Sequence, residues 1–140
     1  MSKKLLLGIS LLTMLAMGGC SYYGKPILKG YYASEPVGIY TVELSFQPDD
    51  STFVEYIDNR EVDRGEYESL DENQYLLKGE VKQTKIKLED DNSFEISIDK
   101  INDSKAIKIK FANGTPQYFE QQFDDIEKYK ELYNWVKIDI

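Results

Sequence analysis

The chain has 140 residues, with 25 acidic and 17 basic side chains, no histidine and one cysteine. This length suits a single domain with one hydrophobic core. A net charge of −8 argues against a nucleic-acid partner, because few basic groups are present to neutralise phosphates. Without histidine the chain lacks the most common general base and zinc ligand, so ordinary hydrolytic catalysis is not expected.

The amino terminus has the pattern of a secretory signal. Ser2, Lys3 and Lys4 give a positively charged start, and an uncharged apolar run of 13 residues, LLLGISLLTMLAM, follows over 5–17. The run is too short to cross a bilayer of about 30 Å comfortably, but it suits the apolar region of a signal peptide. Two glycines then precede the only cysteine, Cys20.

Met17-Gly18-Gly19-Cys20 resembles the lipobox of bacterial lipoprotein precursors, with Met17 where leucine is more usual. The resemblance implies cleavage between Gly19 and Cys20, a diacylglycerol on the Cys20 sulfur, and usually an acyl chain such as palmitate on the new amino group. The protein would then be anchored to the cell membrane on its extracytoplasmic side. An ordinary cleaved signal and an uncleaved anchor are the alternatives.

Three regions follow from this interpretation: a signal peptide over 1–19, a lipidated cysteine and tether over 20–36, and a barrel domain over 37–140. The tether is expected to end in a first irregular strand, with Tyr31 and Tyr32 packed on the domain. Removal of residues 1–19 would leave 121 residues and, with Lys3 and Lys4 lost, a net charge of −10. Such a body would be repelled by an anionic membrane surface.

Apolar and polar residues alternate with a period of two through most of the remaining chain, which predicts strands with one buried face. The apolar positions are Tyr40, Val42, Leu44 and Phe46; Thr84, Ile86 and Leu88; Phe94, Ile96 and Ile98; and Ile107, Ile109 and Phe111. Less regular segments at 53–57, 65–70 and 74–81 are also rich in strand-forming residues. Polar turns recur about every ten residues, so the fold class is mainly β, an antiparallel meander of about eight strands closing into a small barrel.

The stretches Gly38-Ile39-Tyr40 and FQPDDSTFVEY, 46–56, are similar to those of small secreted lipoproteins with a lipocalin-like (calycin) barrel. The similarity covers roughly 37–123. Tyrosine replaces the usual tryptophan, and the Asp-Asp turns lack glycine. The resemblance implies a barrel whose mouth or interior takes an apolar ligand.

The C-terminal region changes character. Phe123, Ile126, Tyr129, Tyr133 and Val136 fall at helical spacing, and Asp124 is placed to cap the first turn. The spacing predicts a helix over 125–134 and a short strand over 136–138. The competing interpretation is one more strand ending at 135–138.

Two Asp-Asp pairs, Asp49-Asp50 and Asp90-Asp91, are the first candidates for a site. Both fail the spacing of a calcium-binding loop, because Phe53 and Phe94 stand where a ligand belongs. They fit hairpin turns better. The spacing of Ser97 and Lys100 matches that of serine acyl-enzymes, but in a strand it sends the two side chains to opposite faces.

No catalytic residue, metal ligand or cofactor is predicted. Glu43, Glu95 and Asp99 alternate onto the polar face, so the sequence indicates no buried acid with a raised pKa. The predicted function is therefore non-enzymatic binding of a small apolar ligand in the barrel. The alternative is a pocketless interaction protein whose acidic surface binds a cationic peptide or an envelope protein.

Overall fold

The computed structural model describes residues 25–103 and 105–135. These residues form eight strands and two helices. The elements are β1 Gly30–Ser34, β2 Val42–Gln47, β3 Thr52–Ile57, β4 Arg60–Ser69, β5 Gln74–Gly79, β6 Gln83–Lys87, β7 Ser93–Ser97, α1 Asp99–Asn102, β8 Ala106–Asn113 and α2 Ile126–Asn134.

All eight strands belong to one antiparallel sheet with the order β6-β5-β4-β3-β2-β1-β8-β7. Because β8 returns to pair with β1, the meander curls into a nearly closed barrel, and its only unpaired seam among the described strands lies between β6 and β7. The tight turn at 88–92 still links these two strands, with the Glu89 amide donating to the Ser93 carbonyl at 2.8 Å. The predicted antiparallel barrel is thus confirmed.

The sheet begins before residue 37. The irregular strand expected near the end of the tether is β1, and it lies between β2 and β8. Tyr32 is fully buried in the core, as expected. Tyr31 faces the outside of the barrel, where its ring packs against that of Phe119. β2 itself starts only at Val42, since Tyr40 makes an isolated bridge with Val37 outside the strand.

The barrel has two ends, which differ in what closes them. The connections β2–β3, β4–β5 and β6–β7 lie at one end, called here the turn end. The other connections lie at the opposite end, called here the helix end, together with α2. At the helix end Asp58 and Asn59 make a two-residue turn with positive φ, which these short polar side chains tolerate.

After β8 the chain runs along the outside of the barrel from the turn end to the helix end. The Ser45 hydroxyl and the backbone of Gln117 exchange hydrogen bonds of 2.6 and 2.9 Å, and the Phe119 ring packs edge-on against Tyr56 at 4.9 Å. The Gln121 amide then donates to the Asn59 carbonyl at 3.0 Å. This outer segment delivers α2 to the helix end.

The helix predicted over 125–134 is confirmed as α2. The competing interpretation of this region as a strand ending at 135–138 is therefore wrong for the residues through Trp135. The cap expected from Asp124 is also wrong. The N-cap residue is Asp125, and its carboxylate makes an ion pair with Arg60 instead of capping the helix. The short strand predicted over 136–138 lies outside the described residues, as do the signal peptide, Gly19 and Cys20.

Candidate functional site

The barrel interior is occupied by aromatic side chains. Phe46 on β2 contacts Phe94 on β7 with ring centroids 5.9 Å apart, and Tyr67 on β4 at 5.4 Å. Tyr32 on β1 lies 5.3 Å from Phe94 and 5.6 Å from Phe46. These rings meet from four strands around the barrel and lie in its hydrophobic core, so an apolar ligand would have to compete with them for space.

The two Asp-Asp pairs lie in turns at the turn end, and their local geometry matches. Asp50 accepts a hydrogen bond from the Thr52 hydroxyl at 2.6 Å, and Asp91 accepts one from the Ser93 hydroxyl. The residue after each pair, Ser51 or Asn92, has a positive φ. The interpretation of Asp49-Asp50 as a hairpin turn is therefore confirmed, because this turn joins the paired strands β2 and β3. Asp90-Asp91 also lie in a turn, but the strands that it joins, β6 and β7, do not pair with each other.

The turn end is densely acidic. Three turns there present seven exposed carboxylates: Asp49, Asp50, Asp71, Glu72, Glu89, Asp90 and Asp91. Hydrogen bonds from Ser93 and Lys108 hold the pKa of Asp91 below its usual value. Within 25–103 and 105–135, no group of three or more acidic or cysteine side chains is arranged to hold a metal ion.

A shallow cleft of about 600 Å³ opens on the outer face of β3 and β4, beside the acidic turns. Its walls include Val54, the carboxylates of Asp50 and Glu66, and Tyr118, whose side chain is 57% exposed. Its arginine, Arg64, is already paired with Glu61 at 2.8 and 2.9 Å. The cleft therefore combines an aromatic surface with carboxylates, which suits the aliphatic stem and charged end of a lysine or arginine.

The sequence-based expectation that no acid is buried is wrong. Glu43 does lie on the outer face, but the outer segment covers that face and leaves Glu43 only 5% exposed. The Tyr31 hydroxyl and the Asn59 amide donate to its carboxylate at 2.7 and 2.9 Å. Burial raises the pKa of Glu43, and these two hydrogen bonds partly oppose that rise.

Two further buried carboxylates were not predicted at all. Glu55 lies opposite Leu44 on β2 and opposite Asp63 on β4, so both acids share the inward face of the sheet. A register shift between Glu55 and Tyr56 leaves Val62 without a partner on β3, between the paired residues Glu61 and Asp63. Each carboxylate is 4% exposed.

Asp63 has a complete set of donors. The backbone amides of Arg64, Val81 and Lys82 donate to it at 2.8, 3.0 and 3.2 Å, so it fixes the loop between β5 and β6. Gly79 leaves room for this arrangement, because a Cβ there would fall 2.2 Å from Asp63 Oδ2. Asp63 is therefore well explained as a structural carboxylate.

Glu55 is less well satisfied. The Tyr133 hydroxyl of α2 lies 3.0 Å from Glu55 Oε1 and 3.2 Å from Asp63 Oδ2, so one proton is shared between two carboxyls. Glu55 Oε2 is buried and has no hydrogen-bond partner. Lys82 lies over the Tyr133 ring at 4.0 Å, and burial lowers its pKa. Glu55, Asp63, Lys82 and Tyr133 are called here the buried cluster.

The remaining sequence candidates stay apart. Ser97 ends β7 whereas Lys100 belongs to α1, so they do not share one helix face and the acyl-enzyme spacing is a coincidence. Lys100 instead lies over the Trp135 ring at 5.0 Å. Glu95 is exposed on the outer face of β7, as predicted.

The chain is a small, nearly closed antiparallel β-barrel with a helix at one end and an acidic opposite end. Its architecture is compatible with that of lipocalin-like proteins. Searches of protein-family models, curated proteins and solved structures found no match to it. Among the described helices, none has the length and apolar character needed to span a membrane.

Proposed function

We propose that the protein is a lipid-anchored extracytoplasmic interaction module, without catalytic activity, that binds a cationic peptide or envelope protein at its turn end. The observation that carries this proposal is the contrast between the interior and the turn end. Aromatic rings from four strands fill the barrel, whereas seven exposed carboxylates crowd one end. An apolar ligand inside the barrel would have to displace those rings, so the interaction interpretation is preferred.

The charge at the turn end suits a cationic partner on electrostatic grounds. The electrostatic potentials of exposed like charges on adjacent turns add together where they act within the Debye length, about 8 Å at physiological ionic strength. They would speed encounter with a basic partner and disfavour an acidic one. The cleft beside Tyr118 would then accept one basic side chain of that partner.

A lipid on Cys20 would fix which end faces the membrane. Gly30 begins β1 at the turn end, since it pairs with Phe46 at the end of β2. The ten residues 20–29 can span at most about 35 Å when fully extended. The acidic end would therefore stay close to the membrane, where a cationic partner would also screen its repulsion from anionic lipids.

The binding proposal is tested by fluorescence anisotropy of a labelled decalysine peptide at low salt. One acid from each turn is neutralised in the variant Asp50→Asn, Glu72→Gln, Asp90→Asn. We expect its affinity to fall about tenfold, since three exposed charge interactions contribute roughly 0.5 kcal/mol each. The control variant carries the same charge change away from the turn end: Glu120→Gln, Glu127→Gln, Glu131→Gln. Equal losses in both variants would show a general charge effect and contradict the assignment to the turn end.

The lipid anchor is tested separately with Cys20→Ala. Wild-type protein from the membrane fraction should carry a mass increase on the peptide that begins with Cys20, and the variant should lose both the adduct and membrane retention. Mass spectrometry of each fraction measures this directly. A variant that stays in the membrane at its unprocessed mass would indicate an uncleaved anchor instead of a lipid.

A further inference from the structure

Hydrogen bonds attach α2 to the helix end of the barrel at three places, and these places differ in chemistry. At its start, the Asp125 carboxylate accepts hydrogen bonds from Nε and Nη2 of Arg60 at 2.9 and 3.0 Å. Near its middle, the Tyr129 hydroxyl donates to Asp58 at 3.1 Å. Near its end, Tyr133 reaches into the buried cluster. Only the last contact ends inside the protein.

The buried cluster is short of hydrogen-bond donors. With both carboxyls ionised, Glu55 and Asp63 share the single Tyr133 proton, and Glu55 Oε2 has no partner. A buried unpaired carboxylate oxygen is costly, whereas a proton on Glu55 would remove its charge and supply a second donor. The geometry therefore favours a neutral Glu55 while α2 keeps the cluster buried, and the single donor Tyr133 opposes this only in part.

We propose that α2 is a proton-controlled lid on the helix end of the barrel, closed while Glu55 is protonated and loosened at its C-terminal half when Glu55 ionises. The charged groups that face Glu55 are Asp63 from β4 and Lys82 from the β5–β6 loop; Asp99 of α1 acts on Lys82. The facing residue on β2, Leu44, is neutral. The lid is independent of the acidic turns, which lie at the opposite end.

The direction of the pH effect follows from linkage. Burial raises the pKa of Glu55 to about 7, against hydrogen bonding by Tyr133 and attraction by Lys82, both of which lower it, while Asp63 raises it. In an open lid Glu55 would be hydrated, and its pKa would return to about 4.5, the ordinary value of a glutamate. Between these two values the closed state binds more protons, so rising pH favours opening. At a pH below the lower pKa or above the upper one, the open and closed states bind the same number of protons at Glu55. Glu55 then gives the opening equilibrium no pH dependence.

The lid can be followed through its own tryptophan. Trp135 is the only tryptophan in the chain and directly follows α2, so its fluorescence and the amide exchange of α2 report local opening. In wild-type protein the opening constant should rise about tenfold per pH unit between roughly 4.5 and 7 and then level off. Glu55→Gln should abolish the rise while leaving the far-ultraviolet circular dichroism unchanged.

Two further variants distinguish proton control of the lid by Glu55 from a merely structural role of this residue. Glu43→Gln alters the other buried glutamate, whose carboxylate accepts hydrogen bonds from Tyr31 and the Asn59 backbone, so it should keep the wild-type pH profile of α2. Tyr133→Phe removes the donor that favours ionised Glu55, so the upper limit of the rise should move to higher pH. This shift also decides the matter if Glu55→Gln does not fold.

Three results would overturn the proposal. One is a pH-independent lid in wild-type protein between pH 5 and 8. Another is a pH dependence that survives Glu55→Gln. The third is equal loss of amide protection in α2 and in β3 and β4, which would indicate global unfolding instead of lid opening.

Discussion

Replacing Phe46 by alanine is expected to lower the free energy of unfolding by about 3–5 kcal/mol. The ring is fully buried and contacts four other rings, those of Tyr32, Phe53, Tyr67 and Phe94. Its removal would leave a cavity between strands on different sides of the barrel, which the surrounding strands cannot easily close. Urea denaturation followed by circular dichroism measures the change.

Phe111→Ala is the matched control for this substitution. Phe111 also contacts Tyr32, with ring centroids 5.5 Å apart, but its side chain is 42% exposed at the end of β8. We expect it to cost less than half as much, about 1 kcal/mol. A Phe46→Ala protein as stable as the control would mean that the interior is loosely packed, and it would reopen the case for an apolar ligand in the barrel.

Asp63→Ala should be the second most damaging change, with a loss of about 3–5 kcal/mol in unfolding free energy. Three backbone amides would lose their acceptor at once, and the Tyr133 hydroxyl would keep only Glu55 as an acceptor. The β5–β6 loop would have to open to water to satisfy them. Thermal and urea unfolding both measure this loss.

Asp90→Ala provides the comparison for Asp63→Ala. Asp90 is an exposed turn residue, and exposed substitutions without such contacts usually change stability by no more than about 0.5 kcal/mol. If the two variants were equally stable, the role of Asp63 as the acceptor that organises the loop would be contradicted.

Much of the barrel could be predicted because local pattern and tertiary structure agree. In β2 the apolar positions Val42, Leu44 and Phe46 all point into the core, and β6, β7 and β8 follow the same rule except at Phe111, which is 42% exposed near the end of β8. The start of α2 was predicted within one residue from the spacing of Ile126, Tyr129 and Tyr133. Period-two and helical spacing are the strongest signals that a sequence contains.

Burial of the acids could be predicted only in part. Glu55 lies two residues from both Phe53 and Ile57, which are buried, so the period of two alone predicts that its side chain points inward. Asp63 has no such signal, because the register shift in β4 interrupts the alternation. The burial of Glu43 depends on a segment 74 residues later in the chain, Gln117 onward, and local pattern contains no information about that cover.

The most direct test of the central claim is a two-dimensional ¹H–¹⁵N NMR titration of the protein with decalysine at low salt. We expect the amides that shift most to lie in the turns 48–51, 70–73 and 88–92 and beside Tyr118. Amides of Tyr32, Phe46 and Phe94 inside the barrel should keep their positions. Shifts concentrated on those interior residues, or none at the acidic turns, would contradict an interaction module that binds through its turn end.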